Sequence, residues 1–392
     1  MEEEIKLILK LAIVVVPVAA FLFFTSRIKK SSLLKILVSL YLVSVAGGIL
    51  ISFGKDIYES YRRPRQWDFL SFWMNGKVAV SGANFYIPEN YHKVPLPYAP
   101  SDEFQKEIID VGFWYPPFSM FLFLPLALFN VSGAYLFWQI LNLLLCLACI
   151  NGVWHLFLKD HGLLSLLLVA VLMLGLGPTR STFSYAQTNF WTLLLAGKWK
   201  ALTAGILTLM ILAALSVLAF GPDVFVSYLN NPAPDVPSWN YTETTNQSLL
   251  STILRLSHQQ AGGAESVLLN PWYIGISLLL TVVTVFVVFG NGSDNDDWRI
   301  LSVLFLALIV YPGNQYFYSV FLIVPVALFV QQLDWNAKGR MVAFLMVFFA
   351  YFLSELKGGA CMFYANLFVW LVCVALAARI GPLSKLGLVD EM

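Results

Sequence analysis

Long apolar runs recur along nearly the whole of this chain, and they constrain its fold more than any other feature. A bilayer core is spanned by roughly 20 apolar residues in a helix. About nine or ten hydrophobic segments can be counted on that scale, from residues 7–24 and 33–53 near the start to 342–353 and 362–378 near the end. Hydrophobic residues make up 59% of the chain and charged ones only 12%, about half the charge of an ordinary soluble domain. The expected fold class is therefore all-α: a polytopic integral membrane protein forming a single transmembrane domain over 1–392, with no separate soluble domain.

Loop charge orients the segments. Arg27, Lys29, Lys30 and Lys35 form a short basic loop that the positive-inside rule assigns to the cytoplasm. The N-terminus, Met1-Glu2-Glu3-Glu4, carries the wrong charge to begin a signal peptide, so the first segment is expected to be retained. Two long polar loops then fall on the extracytoplasmic side, residues 54–114 with interfacial helices and residues 221–271. The net charge of +1 offers no basic patch for a nucleic acid; membrane lipids are the expected surroundings. Cys146, Cys149, Cys361 and Cys373 all sit in apolar runs and read as small core residues. His155 and His161 have no ligand pattern around them. No metal site and no cofactor is expected, and metal dependence is left open. Asn240-Tyr241-Thr242 and Asn246-Gln247-Ser248 match glycosylation acceptors.

One stretch of the first loop stands out, from Gln66 to Gly76. On a helix, Asp68, Ser71 and Asn75 share a polar stripe, and Phe69, Phe72, Trp73, Gly76 and Val80 an apolar one. The pattern predicts an interfacial helix with its apolar face in lipid and its carboxylate facing a watery cleft. A plain amphipathic connector fits the same pattern. Arg62, Arg63 and Arg65 precede it, outside and against the usual charge bias, where they could bind an anionic group. Pro116 and Pro117 suit the first turn of a helix. Arg180 follows a break at Gly177-Pro178, and Gln187 and Asn189 are polar groups at a helix start that could cap it or face a cavity. Too few apolar residues separate Asn189 from Gly197-Lys198-Trp199-Lys200 to cross a bilayer.

These parts could transfer a sugar from a lipid phosphate, with Asp68 taking the proton of an acceptor hydroxyl. Trp67-Asp68-Phe69 after a hydrophobic span, then Gly82, Phe85-Tyr86 and Trp114-Tyr115-Pro116-Pro117-Phe118, resembles the opening of glycosyltransferase family 87. The likeness continues through Pro125-Leu126-Ala127-Leu128, Trp138, Asn142 and Ala186-Gln187-Thr188-Asn189, and through Tyr311-Pro312 and Tyr318. The resemblance implies a GT-C fold and use of a polyprenyl-phosphate sugar as co-substrate. It also implies Asp68 as catalytic base, with Tyr115, Gln187 and Asn189 lining the substrate cleft. Phe317 stands where the family often has His, which removes that side chain's role. Family members have further helices after the Gln-x-Asn segment, and about two crossings are missing here at Ala196–Gly197, where the compressed apolar stretch lies.

The expected function is transfer of a hexose, with mannose favoured, from a polyprenyl-phosphate donor to a glycolipid or glycan acceptor. Arg62, Arg63, Arg65, Tyr115, Arg180, Gln187 and Asn189 would bind substrate, and Asp68 would act as base. The expected location is the cell (inner) membrane with the site outside. Two other classes fit the same sequence: a lipid or glycan transporter, and a membrane scaffold that has lost activity.

Overall fold

The computed structural model describes residues 32–61, 66–93, 115–159, 162–184, 199–230, 239–257, 269–290, 296–312, 314–332 and 361–378, together with Val16, Pro64, Phe113, Leu345 and Leu353. Every regular element among them is helical; an isolated antiparallel bridge joins Asn246 and Gln315. The principal helices are α1 (Ser32–Tyr61), α2 (Trp67–Val80), α3 (Val131–Val153), α4 (Leu163–Gly175), α5 (Gly177–Ser184), α6 (Trp199–Phe220), α7 (Pro222–Asn230), α8 (Leu249–Leu256), α9 (Pro271–Gly290), α10 (Asp296–Val310), α11 (Ile323–Gln332) and α12 (Cys361–Ala377).

Three of the described helices are long and apolar enough to cross a membrane: Ser32–Tyr61, Val131–Leu156 and Pro271–Val288. The number rises to 5 if two bent pairs, α4 with α5 (66°) and α6 with α7 (112°), each count as one span. The segments expected at 7–24 and 342–353 lie outside the described residues, apart from single positions. Sequence hydropathy ends the second segment at Phe53, yet α1 runs on to Tyr61. Lys55 and Glu59, one turn apart, pair at 3.7 Å on that extension, and the helix passes through Gly54 unbroken. Charge ends a hydrophobic run without ending a helix.

The chain folds into two compact units, residues 1–50, 150–181 and 238–392 in one and residues 51–149 and 182–237 in the other. The second is built around α2. Asp68 in its first turn and Lys77 in its last match the helix dipole. Its end is a Schellman turn: Gly82 N–H donates to Ala79 O (3.0 Å) and Ala83 N–H to Val78 O (3.3 Å). Gly82 takes φ +74° there, a left-handed conformation that side chains disfavour.

The expectation that α2 lays its apolar face in lipid is corrected. Every residue from Phe69 to Gly76 is buried within the unit, including Ser71 at 5% exposure and Asn75 at 0%. Beyond Asp68, the polar stripe is satisfied internally. Asn75 Nδ2 donates to Ser71 O at 2.6 Å. The Tyr91 hydroxyl reaches Asn75 Oδ1 and the Phe85 carbonyl at 2.6 Å. A helix apolar or satisfied all round belongs in a core.

The apolar side of α2 packs on residues 117–128, where Pro117 opens a 3₁₀ turn at its first position, as the sequence predicts. Phe72 stacks on Phe123 with centroids 4.1 Å apart and planes at 7°; Trp73 Nε1 donates to Phe129 O at 3.2 Å. At Gly76 the backbones come so close that a Cβ would sit 2.9 Å from Phe123 O. Gly76→Ala is therefore expected to destabilise the protein by about 1–3 kcal/mol through overpacking, read as a lower thermal unfolding midpoint in detergent. An unchanged midpoint would show that α2 can back away from residues 123–127.

In the other unit, the loop before α8 is tied to the loop after α10. Gln247 N–H donates to Asn314 O (2.6 Å) and Asn246 Nδ2 to Pro312 O (2.8 Å). Gln247 Oε1 accepts from Met362 N–H (3.1 Å) and Phe363 N–H (3.2 Å). These are donors in the first turn of α12, otherwise without helical partners, so Gln247 caps that helix from outside. Arg255 Nη1 donates to Glu243 O, Asn246 O and Ser251 Oγ at 2.6, 2.8 and 2.6 Å, and burial lowers the pKa of its guanidinium. Asn246 is only 1% exposed and its amide is engaged at both ends. The glycosylation reading of Asn246-Gln247-Ser248 is thus corrected: the folded loop hides its acceptor.

Candidate active site

Asp68 lies in the first turn of α2 and is half-buried. It is the one residue of the expected polar stripe not enclosed by the core. Phe72 follows one turn later on the helix, and the Tyr115 ring meets Phe72 edge-on at 5.6 Å. Tyr115 thus packs against α2 one turn beyond Asp68. Tyr115 is itself half-buried, with Phe113 at 5.6 Å and Phe123 at 6.1 Å. Its carbonyl accepts from the Tyr86 hydroxyl at 2.5 Å. Burial, and then the neighbouring Tyr228 and Tyr91, push the Tyr86 phenol far above its usual range. Burial does the same to Tyr91 against the lowering effect of Asn75. Both stay protonated donors, Tyr86 to the Tyr115 carbonyl and Tyr91 to Asn75 and the Phe85 carbonyl.

Arg180 lies on α5, half-buried, within the unit that holds residues 150–181. Arg62, Arg63, Arg65, Gln187 and Asn189 lie outside the described residues.

Beside the start of α2 is a cavity of about 320 Å³. Phe53, Ile57, Tyr135 and Phe183 form its apolar wall, and Asp56, Glu59, Ser60 and Gln66 its polar one. Gln66 is the N-cap residue of α2, but its side chain makes no cap bond; Nε2 donates to Ser60 Oγ at 2.9 Å. Asp68 itself is two residues further on and is not among the lining residues. Sequence reading missed this cavity because it placed Asp56 and Glu59 in a loop. Their spacing with Ser60, at i, i+3 and i+4, was the available signal that they share a helix face. Among the described residues, no group of three His, Cys, Asp or Glu side chains could hold a metal ion.

The family model of glycosyltransferase family 87 matches residues 113–197 and 192–312. The chain belongs to glycosyltransferase family 87. No curated protein and no solved structure matches it. This family 87 chain is therefore a glycosyltransferase of a membrane-bound family, which agrees with its membrane-length helices. It requires a sugar donor and an acceptor. The match includes Tyr115, Arg180, Gln187, Asn189 and the Tyr311-Pro312 pair, and begins after Asp68. Its two segments overlap at 192–197, where about two crossings are expected to be missing; that stretch lies outside the described residues.

Proposed function

We propose that this glycosyltransferase moves a hexose, with mannose favoured, from a polyprenyl phosphate to a hydroxyl of a glycolipid or glycan, with Asp68 as general base. The observation that carries the proposal is the position of Asp68: half-buried at the start of a helix whose next eight residues are all buried. A base must be fixed yet reachable, and the first turn of a helix also favours a negative charge. In the reaction the Asp68 carboxylate takes the acceptor O–H proton as that oxygen bonds to the anomeric carbon. The bond from that carbon to the phosphate oxygen breaks, and its electron pair leaves on the lipid phosphate. That group departs ionised and needs cationic stabilisation more than a proton, the role given to Arg62, Arg63, Arg65 and Arg180. Tyr115, Gln187 and Asn189 would line the sugar's path.

Purified protein incubated with radiolabelled polyprenyl-phosphate mannose and a membrane glycolipid extract should yield labelled glycolipid, and none from a nucleotide mannose. Labelling from the nucleotide donor alone would sink the lipid-phosphate reading.

A further inference from the structure

We infer that the cavity walled by α1 and α3 is the acceptor's sugar site and that it takes an uncharged, hydroxyl-rich group. The inference rests on the acceptor-hydroxyl reading above and adds where the acceptor is held and what excludes the donor.

Position comes first. The apolar part of α1, from Ser32 to Gly54, carries Lys35 as its one charge, whereas Lys55, Asp56 and Glu59 crowd its last two turns. The cavity therefore opens at the polar end of a membrane-length helix, where a soluble sugar meets a lipid-anchored reaction. The same pocket is walled by Gln66, which begins the helix that carries Asp68.

The chemistry of the walls follows. Phe53 and Phe183 stack at 4.7 Å and 29°, giving an apolar platform of the kind on which the C–H face of a sugar ring packs. Around it stand acceptors for hydroxyl protons: the carboxylates of Asp56 and Glu59, and Gln66 Oε1, which is buried without a hydrogen-bond partner. A buried acceptor left open is costly and calls for a donor. The Tyr135 hydroxyl, beside Ser60, Gln139 and Asp56, supplies a group that can both give and receive. Among the described residues no Lys or Arg lines the cavity, so its two carboxylates would repel the donor's phosphate. A divalent cation fares no better: calcium wants about six to eight oxygens, and Asp56 and Glu59 are the only carboxylates among the described lining residues. The volume, about 320 Å³, sits at the lower end of small-ligand pockets, roughly 300–1,000 Å³. It suits a sugar unit and not a polyprenyl tail.

The test is saturation-transfer NMR on the full chain in detergent, with methyl α-mannobioside and its phosphorylated counterpart as probes. Wild type should bind the neutral disaccharide and not the phosphate. Asp56→Asn and Gln66→Ala should each weaken that binding about ten- to a hundredfold, the usual loss for a hydrogen bond to a charged or buried partner, with unfolding midpoints near wild type. Asp68→Asn should bind the disaccharide as wild type does, because the base acts on a group already held. Absence of neutral-sugar binding to wild type, unchanged binding in both cavity variants, or preference for the phosphate would each overturn the inference. Transfer activity surviving in Asp68→Asn would instead sink the base assignment and leave these binding results standing.

Discussion

Asp68→Asn is expected to reduce kcat by about 10²- to 10⁴-fold, the usual contribution of a positioned general base, with little change in the KM of either substrate. Asparagine keeps the size of the side chain and the helix position, so the substitution removes proton acceptance together with the charge at the helix start, a surface-scale cost of roughly 0.3–1 kcal/mol. Asp68 is half-buried at the first turn of α2, outside the enclosed hydrogen-bond set of Ser71, Asn75 and Tyr91, so the fold should tolerate the exchange. Single-turnover transfer from labelled donor at saturating acceptor measures the chemical step directly. A kcat within a few-fold of wild type would transfer the role of base to another group. Asp56 and Glu59 on the cavity wall would then be the next carboxylates to test.

Phe72→Ala is expected to have the largest effect on stability, about 3–5 kcal/mol, the range for truncating a fully buried Phe. Phe72 is 1% exposed. Its ring lies flat on Phe123, meets Tyr115 edge-on and approaches Trp138 at 6.1 Å. Removing it takes the centre out of the aromatic cluster and leaves a void that rigid neighbours fill poorly. Because Tyr115 loses its edge contact with α2, transfer activity should fall in the protein that remains folded. Phe72→Leu, which fills most of the volume, should recover much of both. Thermal unfolding in detergent and activity per folded molecule separate the two effects. A Phe72→Ala variant as stable as wild type would mean that α2 is not the centre of this unit.

How much of this was legible beforehand depends on which physical signal each feature leaves. Membrane helices are legible because a bilayer demands long uninterrupted apolar runs, and α1, α3 and α9 follow such runs closely. The end of α1 was misread because hydropathy stops at Phe53 while the backbone continues to Tyr61. That error concealed the helix face of Asp56, Glu59 and Ser60. The helical stretch around Asp68 was legible, but its surroundings were not. An alternation of polar and apolar faces looks the same whether water or Tyr91 satisfies the polar one. The pair of Asn75 and Tyr91, 16 residues apart, leaves no local trace. The acceptor triplet at Asn246 misled for the same reason, since Pro312 lies 66 residues away.

By itself, the sequence determined that the described elements are helical and that several are long and apolar enough to cross a membrane, and the order of its aromatic, proline and amide motifs pointed to the family its matched segments belong to. It also singled out Asp68 and the shortened junction near Ala196. Only the tertiary structure decided that α2 is a core helix and not a lipid-lying one, that Gln247 caps α12, and that a polar cavity opens where α1 ends. The physical reason is one of range. Hydropathy and helix periodicity act between residues a few positions apart, so they are written locally. Burial of a polar stripe, the capping of a distant helix and the walls of a cavity depend on partners that only folding brings together.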